Sequence, residues 1–119
     1  MMRALAVMML LAAGCSSGNL RSCTIEEHGE QDVCLEYQRA SEAEIEHEAR
    51  PECARRGGRF ADGPCSRANL IAGCMQRVVT QKYGAHTQVT WYYVAASGLR
   101  TAPDVASACR AQGGTALAP

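Results

Sequence analysis

Seven cysteines are the residues best equipped for chemistry in this chain of 119 residues, and an odd number leaves one sulfur to explain. Cys15 stands apart, directly behind an apolar run. The others, Cys23, Cys34, Cys53, Cys65, Cys74 and Cys109, suffice for three disulfides. Stable disulfides belong to an oxidising compartment such as the periplasm or the cell surface. With all six paired, no thiol is left to act as a nucleophile beside a base. His28, His47 and His86 lie far apart and show no triad spacing. No catalytic residue is therefore assigned, and the chain is not read as an enzyme. Zinc sites use close pairs such as C-x2-C or H-x3-H. Among the six cysteines the closest pair is Cys65 and Cys74, so no metal site and no cofactor are expected.

The chemistry expected at Cys15 is different. Arg3 gives a minimal positive start, and Ala4 to Ala13 is an unbroken apolar run of ten residues. A membrane-spanning helix needs about 20 such residues, so the run fits the core of a secretory signal. It ends in Leu11-Ala12-Ala13-Gly14-Cys15. This stretch resembles the bacterial lipobox, over residues 1 to 15 only. Gly14 matches the position before the cut and Cys15 the lipidated residue. Ala12 stands where leucine is commonest, with Leu11 one place early. The resemblance implies cleavage between Gly14 and Cys15 and a thioether-linked diacylglycerol on Cys15. Ser16, in place of Asp, resembles sorting to the outer membrane. Acyl chains anchor a protein firmly because each buried CH2 contributes roughly 0.8 kcal/mol. The plain alternative is a secretory signal with Cys15 spare or paired. Ser16 to Ser22 read as a short flexible tether, and residues 23 to 119 as one small domain.

That domain has few large apolar side chains. Ile25, Val33, Leu35, Ile45, Phe60, Leu70, Ile71, Val78, Val79, Val89, Trp91 and Val94 are the main core candidates. A core this thin is marginal from burial alone and calls for staples. Formal net charge is zero, which gives no field for nucleic acid. The charges are unevenly placed, however. Residues 24 to 52 carry ten acids against Arg39 and Arg50, while residues 53 to 119 carry Asp62 and Asp104 against eight bases. Attraction between two solvated halves is the simple reading, and an acidic face for a cationic partner is the other. Glu42, Glu44, Glu46 and Glu48 alternate, so on a helix they splay around the cylinder and read as solvated surface.

The elements that must position the cysteines show a weak repeat. Cys53 and Cys109 are each followed by three residues and a glycine pair, Gly57-Gly58 and Gly113-Gly114. Each cysteine is expected in the last turn of a helix that glycine ends. Ser41 with Glu44 forms an S-x-x-E capping box, and Ile45, Ala49 and Cys53 fall on one face. Pro51 should kink or break that helix. Thr101 can cap a second helix, with Pro103 in its first turn, Asp104 near its positive end, and Val105 and Cys109 on one face. Cys74 to Thr80 and Gln88 to Val94 are rich in strand formers, joined by a long loop from Gln81 to Thr87. A further strand is expected at Val33 to Tyr37. On the Gln88–Val94 strand Trp91 and Tyr93 face one way and Tyr92 the other. The pair is assigned to the core, with an exposed aromatic strip for glycan or protein as the alternative. The fold class is a small disulfide-rich α+β domain with antiparallel strands and two short helices.

Taking Cys23-Cys34-Cys53 and Cys65-Cys74-Cys109 as equivalent triplets ranks the symmetric pairing Cys34–Cys53, Cys74–Cys109 and Cys23–Cys65 first. A sequential pattern beginning Cys23–Cys34 is its chief rival. Gly63-Pro64-Cys65, Ala72-Gly73-Cys74, Thr90-Trp91-Tyr92-Tyr93 and the two Cys-x-x-x-Gly-Gly ends resemble the small cysteine-rich lipoproteins of myxobacteria and related soil bacteria. In that group an aromatic follows the glycine pair, as Phe60 does here and Ala116 does not. The group carries no activity to transfer. The expectation is an envelope lipoprotein with a structural or interaction role, held to a membrane by lipid, with an envelope protein or glycan as partner. The alternative is a secreted binding module such as an enzyme inhibitor, presenting the loop from Gln81 to Thr87.

Overall fold

The computed structural model describes residues 20–94 and 101–119. Gly14, Cys15, the apolar run before them and the start of the tether lie outside the described residues. The domain is α+β, with one six-stranded antiparallel sheet and two helices. In chain order the strands are β1 (Arg21–Glu27), β2 (Glu30–Gln38), β3 (Arg59–Asp62), β4 (Leu70–Thr80), β5 (Gly84–Tyr93) and β6 (Thr115–Leu117). Helix α1 runs through three consecutive stretches, Glu42–Glu44, Ile45–Ala49 and Arg50–Arg55. Helix α2 is Ala102–Ala111. The strand order across the sheet is β3-β1-β2-β5-β4-β6.

This order is the repeat made visible. Each half is two strands, a helix and a returning edge strand, and the halves meet where β2 pairs with β5. One row of residues crosses all six strands: Phe60, Cys23, Leu35, Thr90, Cys74 and Ala116. The row is symmetric about the Leu35–Thr90 pair. It makes Cys23 the counterpart of Cys74, and Phe60 the counterpart of Ala116. Residues opposite each other in a ladder share a face, so both cysteines point to the same side of the sheet. There Cys23 is bonded to Cys53 at the end of α1, and Cys74 to Cys109 at the end of α2. Both helices therefore cover one face.

The pairing corrects the symmetric pattern expected from cysteine order. Cys74–Cys109 is as expected. Cys53 joins Cys23 instead of Cys34, and Cys34 joins Cys65. The reason is phase. The repeated cysteines are Cys23 with Cys74 and Cys53 with Cys109. Cys34 and Cys65 have no counterparts and make a bridge of their own. Cys34 sits on the opposite face from Cys23, because side chains on β2 alternate, and cannot reach α1 through the sheet.

The two faces hold separate cores. Under α1 lie Cys23, Leu35, Tyr37, Ile45, Ala49 and Cys53, with Ile25 and Phe60 against them. On the other face lie Cys34, Cys65, Val89, Trp91 and Tyr93, with Leu70, Met75 and Leu117. Trp91 and Tyr93 are thus core residues. Gly73, opposite Trp91, lets the indole lie directly on the backbone, for a Cβ there would sit 2.7 Å from the ring. The segment between β3 and β4 closes this face. Cys65 is bonded to Cys34, Tyr93 Oη donates to the Ser66 carbonyl at 2.6 Å, and Arg67 lies 4.3 Å above the Trp91 ring.

Local chemistry explains most element ends. Ser41 Oγ accepts from the Glu44 amide at 3.1 Å, and Thr101 Oγ1 accepts from the Asp104 amide at 3.3 Å. Gly57 and Gly113 adopt positive φ of 68° and 78° and end the two helices. The second glycine of each pair has another task. A Cβ on Gly58 would come within 2.7 Å of both sulfurs of Cys23–Cys53, and one on Gly114 within 2.8 Å of both sulfurs of Cys74–Cys109. Of the kink or break expected at Pro51, α1 shows a local irregularity and no break. The turn before it, Ile45–Ala49, is π-helical, and the Arg50 amide donates to the Ile45 carbonyl. That wider turn accommodates a residue with no amide hydrogen. β1 takes in Arg21 and Ser22, so the expected tether ends before them. The long loop expected from Gln81 to Thr87 is a turn of Gln81, Lys82 and Tyr83, because β5 begins at Gly84.

Candidate functional site

Helix α1 and the helix-covered face of the sheet enclose a cleft of about 580 Å³. Its floor is Leu35 and Tyr37 on β2, His86 and Gln88 on β5, and Val78 and Thr80 on β4. Strand alternation puts these residues on one side. Its wall is the α1 face that carries Glu44, Glu48, Glu52 and Arg56, and the β4–β5 turn adds Lys82 and Tyr83 at one end.

The one buried ionisable pair in this lining is Glu44 with His86. Their side chains are 7% and 5% exposed, and His86 Nδ1 lies 2.8 Å from Glu44 Oε1. The contact is close but lacks well-aligned hydrogen-bond geometry. The other ring nitrogen, Nε2, is buried and meets no hydrogen-bonding partner among the described residues, and Tyr83 Oη is in the same state. An unsatisfied buried polar group costs about 1–3 kcal/mol.

Sequence reasoning missed this pair. The S-x-x-E motif assigns Glu44 a capping role, but only half of the box forms. Ser41 caps the helix, and the Glu44 side chain turns to His86. Glu42, Glu46 and Glu48 are exposed as expected, so the error is confined to Glu44. His28, in the β1–β2 turn, and His47, on α1, are exposed and far from His86 in the fold order. The usable signal for His86 was its place in step with Gln88 and Thr90 on the helix-covered side of β5.

The remaining charges divide into taken and free. Arg50 is paired with Glu46 and lies 4.6 Å above the Phe60 ring, and Arg55 is paired with Glu52. Glu48 and Arg56, both exposed, have no ion-pair partner among the described residues. Lys82 lies 5.2 Å from the Tyr83 ring. Burial raises the Tyr37 phenol above its ordinary value; Arg56 opposes that shift and Glu52 adds to it. Among the described residues no group of three or more His, Cys, Asp or Glu side chains could hold a metal ion.

The attraction expected between the two charge halves takes a specific form on the other face. Glu36 is 1% exposed and accepts from the Cys65 amide at 2.8 Å and from Arg67 Nη1 and Nη2 at 3.2 Å each. This fork serves packing of the segment around Cys65. Comparison of the chain with known protein families, with curated proteins and with solved structures finds no match in any of the three.

Proposed function

We propose that this chain is an exported envelope protein, lipid-anchored through Cys15, whose stapled domain binds a partner and performs no catalysis. The observation that supports export is the set of three disulfides. All six sulfurs belong to residues at most 6% exposed, so they are built into both cores. Such bonds form and persist chiefly in oxidising compartments. The lipobox resemblance at Gly14 and Cys15 supplies the anchor, and Ser16 directs it to the outer membrane. The contact surface of the domain is the cleft beside α1, where a buried polar pair meets unpaired surface charge. No cofactor or nucleic acid enters this reading.

Labelled palmitate tests the anchor. Cells expressing the protein should incorporate label into it, and the Cys15→Ser variant should lose the label while keeping its disulfides. Unlabelled wild-type protein recovered from the medium would overturn the anchor in favour of a secreted binding module.

A further inference from the structure

We propose that the cleft binds a short peptide through its two free termini, the amino group at Glu48 and the carboxylate at Arg56. The inference rests on reading the cleft as the contact surface. Three observations carry it. The first is polarity along one wall. Glu44 and Glu48 lie toward the start of α1 and Arg55 and Arg56 at its end, all lining the same cleft. The second is availability. Glu44 is engaged by His86 and Arg55 by Glu52, which leaves Glu48 and Arg56 as the wall's opposite charges without an ion-pair partner among the described residues. The third is the cleft itself, about 580 Å³, with Leu35, Tyr37 and His86 in its floor.

Distance selects the ligand. At about 1.5 Å of rise per residue, Glu48 and Arg56 stand about 12 Å apart along the helix. An extended peptide advances about 3.3–3.6 Å per residue, so a chain of about three residues brings one terminus to each charge. A single amino acid carries its charges too close together to meet both. Between the termini, the peptide passes over a floor where Tyr37, Leu35 and Val78 offer apolar contact.

The test titrates the oxidised, isolated protein with trialanine and follows the amide resonances of residues 44–56 and 80–88. Free trialanine should shift them, and acetylating its amine or amidating its carboxylate should each weaken binding by about two- to fivefold, as for loss of one solvent-exposed ion pair. Glu48→Gln should abolish sensitivity to acetylation only, and Arg56→Gln sensitivity to amidation only. Both positions are exposed, so neither variant should unfold the protein. Equal affinity for free and doubly capped trialanine would overturn the pairing of termini and leave the cleft as a contact surface. Shifts with an N-acetylglucosamine disaccharide and none with trialanine would overturn the peptide in favour of a glycan. No shift with either probe at millimolar concentration would overturn both the peptide and the cleft.

Discussion

Glu36 and Glu44 are both carboxylates sealed from solvent, yet their surroundings assign them different work. Glu36 is saturated: a backbone amide and a two-pronged guanidinium meet its oxygens. Removing Arg67 leaves that carboxylate buried with the Cys65 amide and Gln38 Nε2 as its remaining donors, a loss of about 1–3 kcal/mol. Glu36→Gln keeps the shape and removes the charge, and Arg67, which is half exposed, returns to water. Arg67→Ala should therefore destabilise the fold by about 2 kcal/mol and Glu36→Gln by about half of that, as read by urea denaturation. Equal losses would contradict the assignment of the buried charge as the main cost. Glu44 is instead joined to an imidazole whose far nitrogen is unsatisfied. Neither role was legible beforehand. Both depend on partners distant in the chain, and spacing rules report only neighbours within a turn of helix or along a strand.

Helix ends and strands were more open to reading, because their causes are local. The two caps at Ser41 and Thr101, the buried stripe Ile45-Ala49-Cys53 and the strands rich in β-formers follow from capping chemistry and periodicity. Three strands escaped. β1, β3 and β6 hold mixed polar sequence, and β3 and β6 are short edge strands set by the helix–glycine returns. Pro51 marks an irregularity and not a break, since a π-helical turn before it absorbs the missing amide. The glycine pairs carry a double requirement, a left-handed residue followed by one with no room beside a disulfide. Gly58→Ala and Gly114→Ala should each cost about 1–3 kcal/mol through overpacking. Thermal denaturation of the oxidised protein checks this. Unchanged melting temperatures for both variants would show that the sulfurs yield freely.

At the scale of the whole molecule, two similar halves share one sheet and are fastened by a bridge that belongs to neither. Cys23–Cys53 and Cys74–Cys109 tie each helix to its own half, while Cys34–Cys65 ties the shared centre to the connecting segment. In the chain-entropy account, loops of 30, 31 and 35 residues each contribute about 3–4 kcal/mol. That is large beside the marginal stability of a small domain with two thin cores. The need for staples was plain from composition, and their number from cysteine count. Their partners were not, because the repeat had to be phased by strand register before like could be matched with like. The account therefore stands on sulfur connectivity formed outside the reducing cytoplasm. A peptide map of the protein taken from cells, digested without reduction after blocking free thiols, measures it directly. Linked peptides joining Cys23 to Cys53, Cys34 to Cys65 and Cys74 to Cys109 are expected, with none of these six blocked. Blocked thiols at these positions, or a link between Cys34 and Cys53, would contradict it.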